Sequence, residues 1–122
     1  MAHILLIDDD EQFRAMLAQM LTQDGHRLTL AGDGEEGLRL VEEIQPDLII
    51  TDILMPLRDG IETILALKAA GSVIPIIAVS GGRRLISADF NLESAALLGV
   101  AATLAKPFAR ADLRQAIARA LA

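Results

Sequence analysis

Five polar residues stand directly after short apolar runs, where their side chains could act together. Asp8 and Asp9 follow the first run and Asp52 follows the third, while Ser80 and Lys106 follow the fourth and fifth. Carboxylates, a hydroxyl and an ammonium are the groups that bind divalent cations and phosphoryl oxygens. The pattern therefore predicts a site for charged oxygen chemistry, provided that the fold brings these positions together.

Three of these side chains are carboxylates, which repel one another unless positive charge lies between them. A single lysine cannot offset three negative charges, so we expect a divalent cation at the site. The ligands are hard oxygens with no His or Cys nearby, and this predicts Mg²⁺, for which Mn²⁺ can substitute.

Phosphoryl transfer is the chemistry that such a site supports, because metal and lysine together offset charge on the transferring group. Asp52 stands alone after a central strand and is the predicted nucleophile. The adjacent pair Asp8 and Asp9 is placed to hold the metal, and Ser80 and Lys106 are expected to contact the phosphoryl oxygens.

The elements that must position these residues alternate along the chain. Runs rich in Ile, Leu and Val are predicted strands at about 3–7, 28–31, 48–51, 76–79 and 102–105, and a segment of helical periodicity follows each. This alternation predicts an α/β fold, a flavodoxin-like (βα)5 three-layer sandwich with a parallel five-stranded sheet of order 2-1-3-4-5. In that order the first and third strands are neighbours, so the three carboxylates meet at one edge.

Helix boundaries and helix faces can also be predicted. Asp10 is the expected N-cap of the first helix, and Asp33 and Glu36 have capping-box spacing at the second. The apolar face of the first helix is predicted from its periodicity, as is that of the last. These faces comprise Phe13, Met16, Leu17, Met20 and Leu21 in the first helix and Leu113, Ile117 and Leu121 in the last.

Composition sets the class of the chain. With 122 residues, 52% apolar and 23% charged, we expect one folded domain over residues 1–122. The net charge of −6 disfavours contact with nucleic acid, and the absence of cysteine excludes disulfides and thiolate catalysis. The sequence shows neither a signal-peptide pattern nor an apolar stretch of membrane-spanning length, so we expect a cytoplasmic protein without a membrane partner.

With these motifs together, the chain resembles the receiver domain of a two-component response regulator from Ile4 to the last helix. The matching elements are Asp8-Asp9, Asp52 with Met55-Pro56, Asp59-Gly60, Ser80 and Lys106-Pro107-Phe108. The resemblance implies that Asp9, Asp52 and the backbone carbonyl of Leu54 coordinate Mg²⁺, with Asp8 acting through water. It also implies a cis peptide bond between Lys106 and Pro107.

The resemblance further implies a phosphoacceptor switch in a phosphorelay, rather than a turnover enzyme. Asp52 would receive a phosphoryl group from a phosphohistidine of a sensor kinase or phosphotransfer protein, and the phosphoprotein would present an altered surface to a downstream protein partner. Only one helix follows Lys106-Pro107-Phe108, so no output domain is expected within these residues.

Several positions depart from the family pattern. Thr103 lies where receivers commonly carry an aromatic switch residue, which predicts weaker coupling or coupling through other side chains. Leu54 and Gly82 cannot orient a water molecule, which predicts slow self-dephosphorylation. Arg83 and Arg84 lie in a long loop at 81–88, where a lid over the phosphoryl group and two solvated arginines are both open alternatives.

Two other functions would use residue patterns that this sequence contains. A Mg²⁺-dependent phosphatase that forms an aspartyl phosphate would share the nucleophile, the metal and the lysine. Such enzymes usually have an acidic residue where this chain has Leu54, and they have an inserted segment that covers the substrate, which this sequence lacks. The residues at 32–37 fit G-x-G-x-x-G, the pattern of a dinucleotide site. They follow the second strand instead of the first, and their acids Asp33, Glu35 and Glu36 would repel a pyrophosphate.

Overall fold

The computed structural model describes residues 2–53, 60–80 and 99–122. Its elements are β1 (His3–Ile7), α1 (Glu11–Gln23), β2 (Arg27–Ala31), α2 (Gly34–Ile44), β3 (Leu48–Asp52), α3 (Gly60–Ala69), β4 (Ile76–Ser80), β5 (Ala102–Ala105) and α4 (Arg110–Leu121). The helix that the sequence predicts around 92–96 and the loop at 81–88 lie outside the described residues.

All five strands are parallel and pair in the order β2-β1-β3-β4-β5. This confirms the predicted fold class and strand order. The register sets Ile7 beside Thr51, one residue before the acidic positions of the two central strands. It also sets Ser80 beside Ala105, so all the predicted polar residues lie at the carboxyl edge of the sheet.

The sheet separates two hydrophobic clusters, one on each face. Strands β3 and β4 are buried at every residue, which explains their almost wholly apolar sequences. Alternate strand residues point to opposite faces: Leu6 and Ile50 pack with α1 and α4, whereas Leu5 and Ile49 pack with α2 and α3. Because both faces are covered, the polar ends of the strands emerge from a rigid apolar layer.

The predicted caps are present at both helices. The Asp10 side chain accepts a hydrogen bond from the backbone N of Phe13 at 3.1 Å, which starts α1. The Asp33 side chain accepts one from the N of Glu36 at 2.8 Å. The Glu36 carboxylate accepts from the backbone N of Gly32 at 3.2 Å, one residue earlier than in a standard capping box.

Two residues placed on apolar faces by their periodicity are exposed instead. Met16 is 48% exposed, because the buried stripe of α1 is centred on Leu17 and Leu21 and Met16 lies at its margin. Leu121 is 41% exposed in the final turn of α4. None of the helices in the described ranges has the length and apolar character needed to cross a bilayer.

Candidate functional site

Three carboxylates meet where β1 and β3 end. Asp8 and Asp52 are only 1% and 4% exposed, and Asp9 is half-buried. One carboxylate oxygen of each lies within 4.8 Å of those of the other two. The adjacency of two parallel strands therefore produces the acidic cluster that the sequence predicted.

Asp8 is held by hydrogen bonds to both its backbone and its side chain. Its Oδ1 accepts a hydrogen bond from the N of Asp10 at 2.9 Å, and its own N donates to the carbonyl of Ala31 at 3.1 Å. The Arg14 guanidinium donates to the Asp8 carbonyl at 2.6 Å. Arg14 could not be predicted as a contact of Asp8, because a hydrogen bond to a backbone oxygen leaves no signal in residue types.

Lys106 supplies the positive charge. Its Nζ lies 2.9 Å from Oδ2 of Asp8 and 3.5 Å from Oδ2 of Asp52, with the side chain 16% exposed. Its backbone N donates to the carbonyl of Ser80 at 2.7 Å, which anchors the end of β5 to that of β4. The Lys106–Pro107 peptide bond is cis, as the resemblance implied.

An aromatic ring lies beneath this ammonium. Nζ of Lys106 is 3.7 Å from the centroid of the Phe13 ring. The Phe13 and Phe108 rings pack nearly perpendicular to each other, with centroids 5.9 Å apart. The periodicity placed Phe13 on the buried side of α1 but did not predict that its ring contacts the lysine.

The hydroxyl of Ser80 differs from its neighbours in having no partner in the described part of the chain. Ser80 is fully buried, and its Oγ makes no hydrogen bond there. The hydroxyl of the equally buried Thr51, by contrast, donates to the carbonyl of Asp52 at 3.0 Å. A buried donor without an acceptor is destabilising, so its presence at a polar site points to a ligand that completes it.

The start of α3 packs directly on the acidic strand end. The N of Gly60 donates to the carbonyl of Ile53 at 3.1 Å. A Cβ at Gly60 would overlap the backbone carbonyl of Asp52 and the Cα of Ile53. Glycine is required here because the helix and the backbone of β3 approach each other so closely.

The acidic cluster suits a small divalent cation. Carboxylate oxygens of Asp8, Asp9 and Asp52 converge from two strands, and hard oxygen ligands favour Mg²⁺ over softer metals. Leu54, whose carbonyl the resemblance implied as a ligand, lies outside the described residues. So do Gly82, Arg83 and Arg84.

Comparison with known proteins identifies the family. The family model described as the response regulator receiver domain matches residues 4–118. The chain belongs to this family. It is therefore a receiver domain, of the kind that serves as a switch in two-component signalling.

Two relatives of this receiver are named as transcriptional regulatory proteins. It is 38% identical to the transcriptional regulatory protein AfsQ1 of Streptomyces coelicolor over 79% of this chain and 42% of that protein. It is 36% identical to the transcriptional regulatory protein PdtaR of Mycobacterium tuberculosis over 93% of this chain and 54% of that protein. The receiver thus spans about half the length of the curated relatives it matches.

Solved receiver structures superpose closely on this one. A response regulator receiver domain protein from Clostridium thermocellum gives a TM-score of 0.88 at 30% identity, covering 99% of this chain and 94% of that one. Chemotaxis protein CheY4 of Vibrio cholerae gives a TM-score of 0.85 at 28% identity, covering 99% of both chains. The three-layer fold of the receiver is therefore that of the family.

One departure from the family pattern is visible in the structure. Thr103 is exposed on β5, and the residues on either side of it, Ala102 and Leu104, are buried. A small polar side chain thus stands on the outer face of the edge strand of this receiver, where an aromatic residue is common in the family. Weaker coupling through this position stays a prediction.

Proposed function

We propose that residues 1–122 form one receiver domain that accepts a phosphoryl group on Asp52 and works as a switch, not as a turnover enzyme. The convergence of three carboxylates, Lys106 and the unpartnered Ser80 hydroxyl at one sheet edge supports this function. The donor is a phosphohistidine of a sensor kinase or phosphotransfer protein. We place this reaction in the cytoplasm.

In the proposed reaction, a carboxylate oxygen of Asp52 attacks phosphorus in line with the leaving nitrogen. An O–P bond forms, the P–N bond breaks, and the imidazole nitrogen keeps the electron pair of that bond. The product is a mixed anhydride on a strand that is buried at every residue. Because β3 is rigid, the attacking oxygen is held in place before the donor arrives.

Lys106 and Ser80 are proposed to bind the transferred group. The Lys106 ammonium already lies within 3.5 Å of the Asp52 carboxylate and needs only a small movement to meet a phosphoryl oxygen. No residue in the described ranges accepts a hydrogen bond from the Ser80 hydroxyl, and a phosphoryl oxygen could do so. Phosphorylation would thus supply an acceptor for a buried hydroxyl that has none among the described residues, which favours a second state of the switch.

Asp8, Asp9 and Asp52 are the residues proposed to hold Mg²⁺, with the carbonyl of Leu54 as a further ligand. The bound ion would supply positive charge against the carboxylates and the phosphoryl oxygens. One small ion could contact all three residues, because one carboxylate oxygen of each lies within 4.8 Å of those of the other two. Mn²⁺ offers the same oxygen-binding chemistry and is expected to substitute.

Output is proposed to pass through protein contacts that change when Asp52 is phosphorylated. The net charge of −6 disfavours direct contact of these residues with nucleic acid. The relatives named as transcriptional regulatory proteins are about twice as long as the aligned segment. Their names therefore do not assign DNA binding to the receiver unit itself.

The test is intact mass spectrometry after incubation with acetyl phosphate. We expect a gain of one phosphoryl mass with Mg²⁺, no gain with a chelator and no gain in Asp52→Asn. Asp47→Asn, which changes an exposed aspartate at the opposite edge of the sheet, is the matched control and should be phosphorylated normally. Turnover of a phosphomonoester substrate by the wild-type chain would instead support the phosphatase alternative.

A further inference from the structure

Among the described residues, the ammonium of Lys106 contacts groups of two kinds. Two are carboxylate oxygens, of Asp8 at 2.9 Å and of Asp52 at 3.5 Å. The third is the face of the Phe13 ring, whose centroid is 3.7 Å away. The face of an aromatic ring is electron-rich and attracts a cation within about 6 Å, so this contact is attractive and not merely steric.

Two contacts hold the Phe13 ring in position, one at the start of α1 and one with Phe108. Phe13 is the third residue of α1, and its backbone N is held by the Asp10 cap at 3.1 Å. The ring also packs edge-to-face with Phe108, two residues beyond Lys106, at an interplanar angle of 82°. A helix cap and a second aromatic ring therefore hold the Phe13 ring where the lysine reaches the acidic cluster.

We infer that Phe13 is a positioning residue for Lys106, holding the ammonium between Asp8 and Asp52 while its hydrogen-bond partners change. This inference rests on the proposed function. A hydrogen bond to a carboxylate is directional and must break when the N–H groups turn toward a phosphoryl oxygen. Attraction to a ring face depends mainly on the distance from its centroid, so it persists as the N–H groups turn.

An aliphatic residue of similar size could fill the same space without attracting the cation. Phe13 also packs against the hydrophobic cluster beneath α1 and α4, so packing alone is the competing explanation. The two differ in what they require of the ring, because a cation needs electron density on its face whereas packing needs only its shape. The experiments must therefore change the electron density while keeping the shape.

The first measurement is NMR of the lysine side chains. The chain has two lysines, and Lys68 is exposed on α3, so it serves as an internal reference. We expect the Cε protons of Lys106 to be shifted upfield of those of Lys68 by the ring current, and Phe13→Leu to remove this shift. The shift should persist with Mg²⁺ and a phosphoryl mimic such as beryllofluoride; its loss on adding the mimic would overturn the inference.

The second measurement is the rate of phosphoryl transfer from acetyl phosphate in chains with fluorinated phenylalanine at position 13. In this step the P–O bond of the donor breaks, acetate leaves with the electron pair, and an O–P bond forms on Asp52. Successive fluorines withdraw density from the ring face with little change in shape. We expect a graded slowing to about 3- to 30-fold, the factor that a contact of this type supplies. Phe13→Tyr keeps an electron-rich ring at this position, so it should transfer the phosphoryl group at the wild-type rate.

The same fluorinated residues at Phe108 form the matched control, because that ring packs against Phe13 at 5.9 Å between centroids. They change the contact between the two rings, so any slowing should be smaller than in the series at position 13. Thermal unfolding of each variant checks that the fold is intact. A normal wild-type rate with a flat series at position 13 overturns the positioning role alone. A wild-type chain that gains no phosphoryl mass overturns the proposed function, and with it any role of the ring in transfer.

Discussion

Arg114 donates to both carboxylate oxygens of Asp24, from Nε at 3.1 Å and from Nη2 at 2.8 Å. This bidentate salt bridge joins α4 to Asp24, the C-cap residue of α1. Arg110 adds a hydrogen bond of 2.8 Å to the same carboxylate. The hydrogen bonds from Arg114 and then Arg110 hold the pKa of Asp24 well below its usual range, because both stabilise the charged form.

Replacing Asp24 should therefore change stability in a pH-dependent way. A carboxylate with a depressed pKa stabilises the folded state above its unfolded pKa of about 4, and this contribution is lost as the pH falls toward the folded pKa. We expect Asp24→Asn to lower the free energy of unfolding at pH 7 and the difference from wild type to shrink below about pH 4. Urea unfolding across a pH series measures this. Glu43→Gln, at an exposed pair with Arg39, is the control and should show little effect; a pH-independent difference for Asp24→Asn would contradict the explanation.

Removing each of two buried hydroxyls near the same sheet edge should have a different effect on the free energy of unfolding. Ser80→Ala removes a hydroxyl that has no partner among the described residues, so stability should be unchanged or should rise by about 1 kcal/mol. Thr51→Val removes a hydroxyl that donates to Asp52, which should cost about 1 kcal/mol. Urea unfolding of the unphosphorylated chains compares them directly, and a larger loss for Ser80→Ala would mean that its hydroxyl already has an acceptor.

Removing the ammonium should expose repulsion between the carboxylates. Lys106→Met leaves Asp8 and Asp52 buried without their shared cation, and we expect a loss of about 3 kcal/mol in the free energy of unfolding without metal. Mg²⁺ should recover part of this loss. Lys68→Met, at an exposed lysine, should change stability little. Equal losses for the two lysines in chelator would show that the buried pair is not what stabilises the edge.

The close approach at the start of α3 makes a further prediction. Gly60→Ala should destabilise the fold by about 1 to 3 kcal/mol and slow phosphoryl uptake, because its Cβ would displace the backbone of Asp52. Gly32→Ala is the matched control, since its nearest neighbour, Nη1 of Arg14, would be at an ordinary contact distance of 3.6 Å. Thermal unfolding measures the change in stability, and the mass assay measures phosphoryl uptake. If Gly60→Ala is destabilised but takes up the phosphoryl group normally, the contact between α3 and β3 is not needed for the chemistry of the site.

Metal binding should be visible as stabilisation without any phosphoryl donor. A ligand that binds only the folded state contributes about 2.7 kcal/mol at a hundredfold excess over its Kd, so the unfolding temperature should rise with Mg²⁺ and fall with a chelator. Asp9→Asn should reduce this increment. Asp33→Ala removes the N-cap of α2 and none of the three clustered carboxylates, so it should lower the starting temperature but keep the increment. An increment that survives in Asp9→Asn would argue against Asp9 as a ligand.

The sequence was sufficient for the strand order and for the positions of the candidate site residues that stand at strand ends. Asp8, Asp52 and Ser80 could be placed at one edge because parallel strands all end there. Helix caps were equally accessible, since Asp10 and Asp33 act on nearby backbone groups. These features depend on local spacing and on topology, both of which residue types record.

Contacts between distant side chains could not be predicted in this way. The ring of Phe13 beneath Lys106 depends on how α1 lies against the end of β5, and the pair between Arg114 and Asp24 depends on how α1 lies against α4. Periodicity fixes neither. The exposure of Met16 depends in the same way on the width of the buried stripe. The roles of the residues at 54 and 82–84 stay predictions from the sequence.

The ion pair between Lys106 and Asp8 joins residues 98 positions apart, across two intervening strands. The acidic cluster itself needs only β1 and β3, which lie within the first 52 residues. A partly folded chain with those strands paired but β5 undocked would carry the clustered negative charge without its lysine. Without a cation, such a species is destabilised by repulsion between the carboxylates, and docking of β5 brings the lysine that offsets it. The charge arrangement of the site therefore contributes to the cooperativity of folding, and a divalent cation would stabilise the partly folded form as well as the native one.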